Sequence, residues 1–139
     1  MTITILGKQF PKQSARHTKK GFVYQTKEVK QAEDNVRWQI INQLPKDFVP
    51  FDKGVKVIRL LYVFPPLKSF TKKKMKALEK GHLLYKTTKP DLTDNLNKGL
   101  FDAMEGIIFN NDSQVCEINH AIKCYGLKPR TEIVLEEVI

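Results

Sequence analysis

The chain has 139 residues, is 41% hydrophobic and 28% charged, and carries a formal net charge of +9 with a pI near 9.6. Those figures support one ordinary domain over residues 1–139. They contain no apolar run near the ~20 residues that cross a bilayer, and the charge favours a polyphosphate partner.

The N-terminal Met1-Thr2-Ile3-Thr4-Ile5-Leu6 is too short for a signal peptide and lacks a basic leader, so a cytoplasmic protein without membrane association is expected. Residues 1–10 alternate and end near Gly7, which predicts a first strand. Residues 11–21 are polar and basic and read as a loop; residues 22–25 suit a short strand. Thr26 is placed to cap a helix that runs to Leu44, where Pro45 stops it. Val29, Ala32, Val36 and Ile40 form its apolar stripe. Trp38 and Ile41 fall off that stripe, which suggests a second covered face.

Val55 to Phe64 is the strongest strand signal, closed by Pro65-Pro66. Ser69 or Thr71 can cap a lysine-rich helix to about Lys80, with Gly81 as its stop. There Lys72, Lys76 and Lys80 share one face, with Met75 and Leu78 on the other. An acidic helix follows from about Asp91 to Met104, ended by Gly106. A turn at Asn110-Asn111-Asp112 leads into strands near 114–125 and 131–138. The order predicts an α+β fold, a small mixed sheet packed by two to three helices.

Cys116 and Cys124 fall in what reads as one strand, ~26 Å apart at ~3.3 Å per residue, too far to bond. Reduced, buried thiols are expected. No Cys-x-x-Cys pair and no His-Glu-x-x-His is present, so no zinc site is indicated. His120 shares strand parity with Ile118 and Ile122 and reads as a packed core histidine. Glu117 reads as a surface residue.

The positive charge is uneven. Lys68, Lys72, Lys73, Lys74, Lys76, Lys80, Lys86 and Lys89 are opposed locally only by Glu79. Lys12, Arg16, His17, Lys19 and Lys20 make a second basic stretch. Nucleic acid is the natural partner for such clusters; a lysine face kept for solubility is the plainer reading.

Within this basic chain sits a small acidic knot. On a helical wheel Asp91, Asp94, Asn95, Lys98 and Asp102 fall in a sector about 100° wide, while Leu92, Leu96, Leu100, Ala103 and Met104 take another about 120° wide. Carboxylates crowded on one face repel each other unless a cation intervenes. A hard divalent ion such as Mg²⁺ suits oxygen ligands and a substrate phosphate, and Asp112 could complete the site. Such a metal acidifies water and neutralises charge in phosphodiester hydrolysis, so the pattern points to a nuclease. The same aspartates would also favour a helix N-terminus with no function. Asp94 and Lys98 would make an ordinary i,i+4 pair, Asn111-Asp112 is a common turn, and Asp102 reads as a solvated helix-face residue.

The run Lys89-Pro90-Asp91-Leu92-Thr93-Asp94-Asn95-Leu96-Asn97-Lys98, then Phe101-Asp102-Ala103-Met104-Glu105-Gly106 and Asn111-Asp112-Ser113-Gln114-Val115, resembles the RusA-type crossover junction endodeoxyribonucleases. Their pattern is K-P-D-x-D-N-L-x-K, then L-D-A-L-x-G, then x-D-D-x-Q-(V/I). Looser similarity covers most of the chain, including the basic loop at Pro11–Arg16 and the lysine-rich helix. The resemblance implies a compact α+β homodimer, bacterial or phage-encoded and often from a prophage. It implies Mg²⁺-dependent symmetric nicking of four-way DNA junctions in recombination and repair, with Mn²⁺ able to substitute. It carries metal and catalytic roles onto Asp91, Asp94 and Asp112, and a catalytic role onto Lys98. Lys12, Arg16, Lys19, Lys20, Lys72, Lys73, Lys76 and Lys89 are the expected DNA contacts.

Two departures stand out. The family has one residue between its helix aspartates; here Leu92-Thr93 makes two, so Asp91 must reach the site through a bulge or a distorted first turn. Asn111 stands where an acid is common. Three readings remain beside junction resolution: a broader endonuclease for flaps, forks or D-loops; a non-catalytic basic DNA-binding accessory protein; and an RNA-binding protein, disfavoured by the scarcity of aromatic platforms.

Overall fold

The computed structural model describes residues 1–8, 16–17, 23–24 and 26–139. The elements in chain order are β1 (Thr2–Leu6), β2 (Arg16–His17), β3 (Val23–Tyr24), α1 (Lys27–Gln43), β4 (Val55–Phe64), α2 (Lys72–Glu79), β5 (Leu84–Tyr85), a π-helical turn (Leu92–Leu96), α3 (Asn97–Met104), a 3₁₀ turn (Asp112–Gln114), β6 (Val115–Ile118), β7 (Ala121–Tyr125) and β8 (Arg130–Glu137). Among the described residues this is an α+β fold, with a mixed six-stranded sheet, a two-stranded sheet and three α-helices. Among the described residues no helix is long and apolar enough to cross a membrane. The chain divides into two compact units: Met1–Gln9, Lys53–Lys89 and Val115–Ile139 form the first, and Phe10–Asp52 and Pro90–Gln114 the second.

The first unit is the sheet and α2. β4 is its spine, with β8 antiparallel on one edge and β6 and β7 parallel on the other. β1 extends the sheet beyond β8, and β5 beyond β7. The sequence VKVIRLLYVF suits this place because Leu60 to Phe64 is apolar at every position and buried throughout. A strand covered on both faces reads as a continuous apolar run. Ile3, Ile5, Val55, Val57, Leu60, Tyr62, Ile133 and Leu135 are buried and form much of this unit's core. Each such side chain contributes roughly 1.5–3 kcal/mol by leaving water. Burial also pushes the Tyr62 phenol far above its ordinary value.

The register of β4 against β8 slips between Val57 and Arg59, a β-bulge that reverses which parity faces which side. The opposite edge breaks at the same level. Asn119 N–H donates to Val57 O (2.8 Å) and Leu60 N–H to His120 O (3.2 Å), bridging the gap between β6 and β7. The single strand expected over 114–125 is therefore two. His120 sits in the break with φ +47° and is exposed, not a core histidine. Cys124 is buried, and desolvation raises its thiol pKa; Cys116 is exposed, contrary to expectation, and both are free thiols. Glu117 is a surface residue: Lys56 Nζ (3.0 Å) and the Asn119 amide (2.9 Å) hold its carboxyl below the ordinary value.

α2 begins at Thr71, whose hydroxyl accepts from Lys74 N–H (3.2 Å). Leu78 is buried on one side, while Lys72, Lys73, Lys76 and Lys80 are exposed.

In the second unit Thr26 caps α1 as expected, accepting from Val29 N–H (3.3 Å). Val36 and Ile40 are buried, but Trp38 and Ile41 are 66% and 55% exposed, so the second covered face is not found among the described residues. The basic stretch read as loop contains a strand: Arg16 pairs with Tyr24 and His17 with Val23. α1 packs against α3.

Gly126 closes the β7–β8 turn onto β4, donating to Phe64 O (2.9 Å). A Cβ there would lie 2.6 Å from Val63 Cγ1. Gly126→Ala is expected to lower unfolding free energy by about 1–3 kcal/mol through overpacking. Urea denaturation checks this, and an unchanged midpoint would show that the turn relaxes freely.

Candidate active site

All four residues expected to carry chemistry belong to the second unit. The acidic helix does not start as an α-helix. Leu96 N–H donates to Asp91 O (3.1 Å), a five-residue step that defines the π-turn Leu92–Leu96. A distorted first turn of this kind is one way to accommodate two residues between Asp91 and Asp94. α3 then continues with Leu96, Leu100, Ala103 and Met104 buried, as the apolar sector predicted. Gly99 and Phe101 are buried too. Asp91, Asp94 and Lys98 are exposed, while Asn95 and Asp102 are half-buried.

Asp91 and Asp94 stand at the start of the helix, where a carboxylate favours the dipole, but two more specific local pairings are not seen among the described residues. Asp91 stands at the N-cap position, yet its side chain makes no capping hydrogen bond. Asp94 and Lys98 form no ion pair among the described residues. Their charges are left open to solvent.

Asp112 comes from a separately built turn. Arg37 Nη1 on α1 donates to Ala103 O (3.0 Å) and Glu105 O (2.9 Å), taking up carbonyls that the end of α3 leaves without helical partners. Gly106, at φ +83°, reverses the chain and donates to Phe109 O (2.7 Å). The turn is then clamped by one side chain. Gln114 Oε1 accepts from Asn110 N–H (2.8 Å) and Asn111 N–H (2.9 Å), and its Nε2 donates to Phe51 O (2.8 Å). Asn111 Oδ1 accepts from Ser113 N–H (2.9 Å), an Asx turn. Asp112 N–H donates to Glu105 Oε1 (3.3 Å), and the Asp112 side chain is exposed.

Sequence reasoning assigned no role to Arg37, Glu105 or Gln114. An amide three residues after Asn111, across a Ser-containing turn, was the available signal for Gln114.

Among the described residues no three His, Cys, Asp or Glu side chains are grouped so as to hold a metal ion. A Mg²⁺ ion needs only one or two carboxylates, with waters and substrate phosphate as its other ligands. The all-oxygen chemistry of Asp91, Asp94 and Asp112 fits such an ion. Of the expected DNA contacts, Lys72, Lys73, Lys76 and Lys89 are exposed in the first unit. Arg16 lies on β2, and Lys12, Lys19 and Lys20 fall outside the described residues.

The family model of Endodeoxyribonuclease RusA matches residues 7–136. The chain belongs to the RusA endodeoxyribonuclease family. "Uncharacterized protein YqaN" of Bacillus subtilis (strain 168) is 43% identical to it over 89 residues, which is 64% of this chain and 58% of the relative. The chain thus spans less than two thirds of that relative's length. The RusA match covers the acidic helix, the Asp112 turn and all the strands except β1 and the last residue of β8.

If the π-turn houses the extra residue, deleting Thr93 restores the RusA spacing of one residue between the aspartates. The deletion variant is expected to fold with an unchanged or raised Tm, followed by circular dichroism; collapse of the fold would refute the assignment. If Asp112 carries the chemistry of a nuclease, Gln114→Ala is expected to cut the rate by on the order of 10–100-fold with DNA affinity unchanged, because Asp112 loses its support. Single-turnover cleavage at saturating protein measures the effect.

Proposed function

We propose that this protein is a Mg²⁺-dependent endonuclease that resolves four-way DNA junctions by paired symmetric nicks, acting as a homodimer. The observation that carries the proposal is the pair of uncommitted helix carboxylates, Asp91 and Asp94, one π-turn from Lys98 on a RusA chain. Asp91, Asp94 and Asp112 are the candidate ligands for Mg²⁺, one or two of which would hold the ion together with waters and substrate phosphate, with Mn²⁺ an alternative. When bound, the ion supplies an acidified water and charge neutralisation at the scissile phosphate.

The protein's own groups do the rest. Lys98 places an ammonium beside the phosphate, where negative charge grows during hydrolysis. Asn95, half-buried and next to Asp94 in the chain, would orient a ligand carboxylate through its amide once the ion is bound. Gln114 fixes the backbone on which Asp112 rides. Exposure of Asp91, Asp94, Lys98 and Asp112 suits a duplex, which cannot enter a closed pocket. Lys72, Lys73, Lys76 and Lys89, with Lys12, Arg16, Lys19 and Lys20, bind the arms through phosphates, with affinity that falls steeply in salt. Two related cuts on a pseudo-twofold junction match a C₂ enzyme.

The test is cleavage of an end-labelled synthetic four-way junction, with and without Mg²⁺, by wild type and Asp112→Asn. Paired metal-dependent nicks are expected, reduced at least about 100-fold in the variant while binding persists. Binding without cleavage under any divalent metal would sink the proposal. Equal cutting of flaps and forks would replace it by a broader branched-DNA nuclease.

A further inference from the structure

Away from the acidic residues, the edge of the first unit's sheet holds two lysines in an arrangement that solubility does not explain. β5 pairs with β7 through Leu84 opposite Tyr125 and Tyr85 opposite Cys124. The ladder continues one residue further, with Lys86 N–H donating to Lys123 O (3.0 Å). Lys86 and Lys123 therefore oppose each other across the strands, and like charges directly opposite destabilise a sheet.

Their ammonium groups converge as well as their backbones. Lys86 Nζ donates to Thr88 Oγ1 (2.8 Å), and Lys123 Nζ donates to Thr88 O (2.6 Å). Two positive charges thus meet on one residue.

Lys86 is also held in place. Its Nζ lies 5.2 Å from the Phe64 ring centroid and 5.1 Å from that of Tyr125, and it contacts the Tyr125 hydroxyl at 3.4 Å. Phe70 packs edge-on against Tyr125 at 4.9 Å and carries Lys74 5.0 Å from its own ring centroid. Every partner of Lys86 among the described residues is neutral. An ammonium has three donors; two are used here, and the third has no partner among the described residues. A surface lysine normally loses rotamer freedom on binding, but this one is already immobilised.

We infer that Lys86 and Lys123 form a preorganised binding site for a backbone phosphate of the DNA substrate. A phosphate placed against Thr88 relieves the repulsion between the two ammonium groups and fills the remaining donor. The inference rests on the DNA-binding part of the proposed function but not on catalysis.

The test is junction binding by fluorescence anisotropy in EDTA, where no metal supports cutting, at salt from 50 to 200 mM. Wild type is compared with Lys86→Gln, Lys123→Gln, the double variant, Lys86→Arg, and Lys46→Gln as an exposed-lysine control. One phosphate contact contributes about 0.9 to the slope of log K against log salt. The double variant is expected to flatten the slope by about one and to lose on the order of tenfold affinity at the lowest salt. Lys86→Arg and Lys46→Gln are expected to keep the wild-type slope. The Tm of the double variant is expected to hold or rise, since a like-charge pair is removed; a merely structural pair would lower it.

A double variant with wild-type slope and affinity overturns this site and leaves the nuclease proposal standing. A double variant that shows the slope change, with a wild type that cuts no junction, supports the site and removes the nuclease. A wild type that binds no DNA overturns both.

Discussion

One hydrogen bond, from Leu96 N–H to Asp91 O, decides how the acidic helix can exist in this chain. Relative to the pattern that the sequence resembles, one residue is inserted between the two aspartates. In a continuous α-helix an insertion rotates everything on one side of it by about 100°. Either Leu96, Leu100 and Met104 would leave the core, or Asp91 would swing away from Asp94. Burying three large side chains is worth several kcal/mol, far more than one distorted turn costs. The distortion therefore falls at the exposed end, and the apolar face keeps its register. π-turns are often found at functional sites for this geometric reason: they move one side chain without moving the helix behind it.

Much of this was legible in the sequence because it depends on local signals. Thr26 and Thr71 were readable as caps, and each hydroxyl takes a backbone N–H three residues on. β4 was readable because its second half, Leu60–Phe64, is the unbroken apolar run of a strand buried on both faces. The need for a distorted start at Asp91 followed from counting residues between two aspartates.

The misreadings come from interactions between distant segments. His120 has the right parity for a buried strand residue, but parity holds only while the strand continues. The bulge in β4 near Ile58 and the gap after Ile118 occur together, and neither is encoded beside His120. Cys116 was assigned to the interior by the same assumption of one strand. β2 is two residues long, too short for alternation to show, whereas the short strand expected over 22–25 is found as β3. Trp38 is large and apolar, which argues for burial, yet it lies on the exposed side of α1 and Tyr85 is similarly open at 64%. These rings weaken the argument from scarce aromatic platforms against single-strand binding. The clamp at Gln114 was hidden because its anchor, Phe51 O, lies 63 residues away.

The two charged regions hold their charge in different ways, and the difference bears on function. Among the described residues Asp91 and Asp94 have no side-chain cap bond and no ion-pair partner. Lys86 is held by rings and hydroxyls that offer no countercharge. A plainer account of Lys86 and Lys123 is that lysines guard a sheet edge against pairing with other chains. That role needs a mobile, outward, hydrated ammonium. Lys86 instead folds over Phe64 and Tyr125, and both lysines bind the same threonine. Guarding an edge gives no reason to bring two positive charges together; capturing a doubly contacted phosphate does.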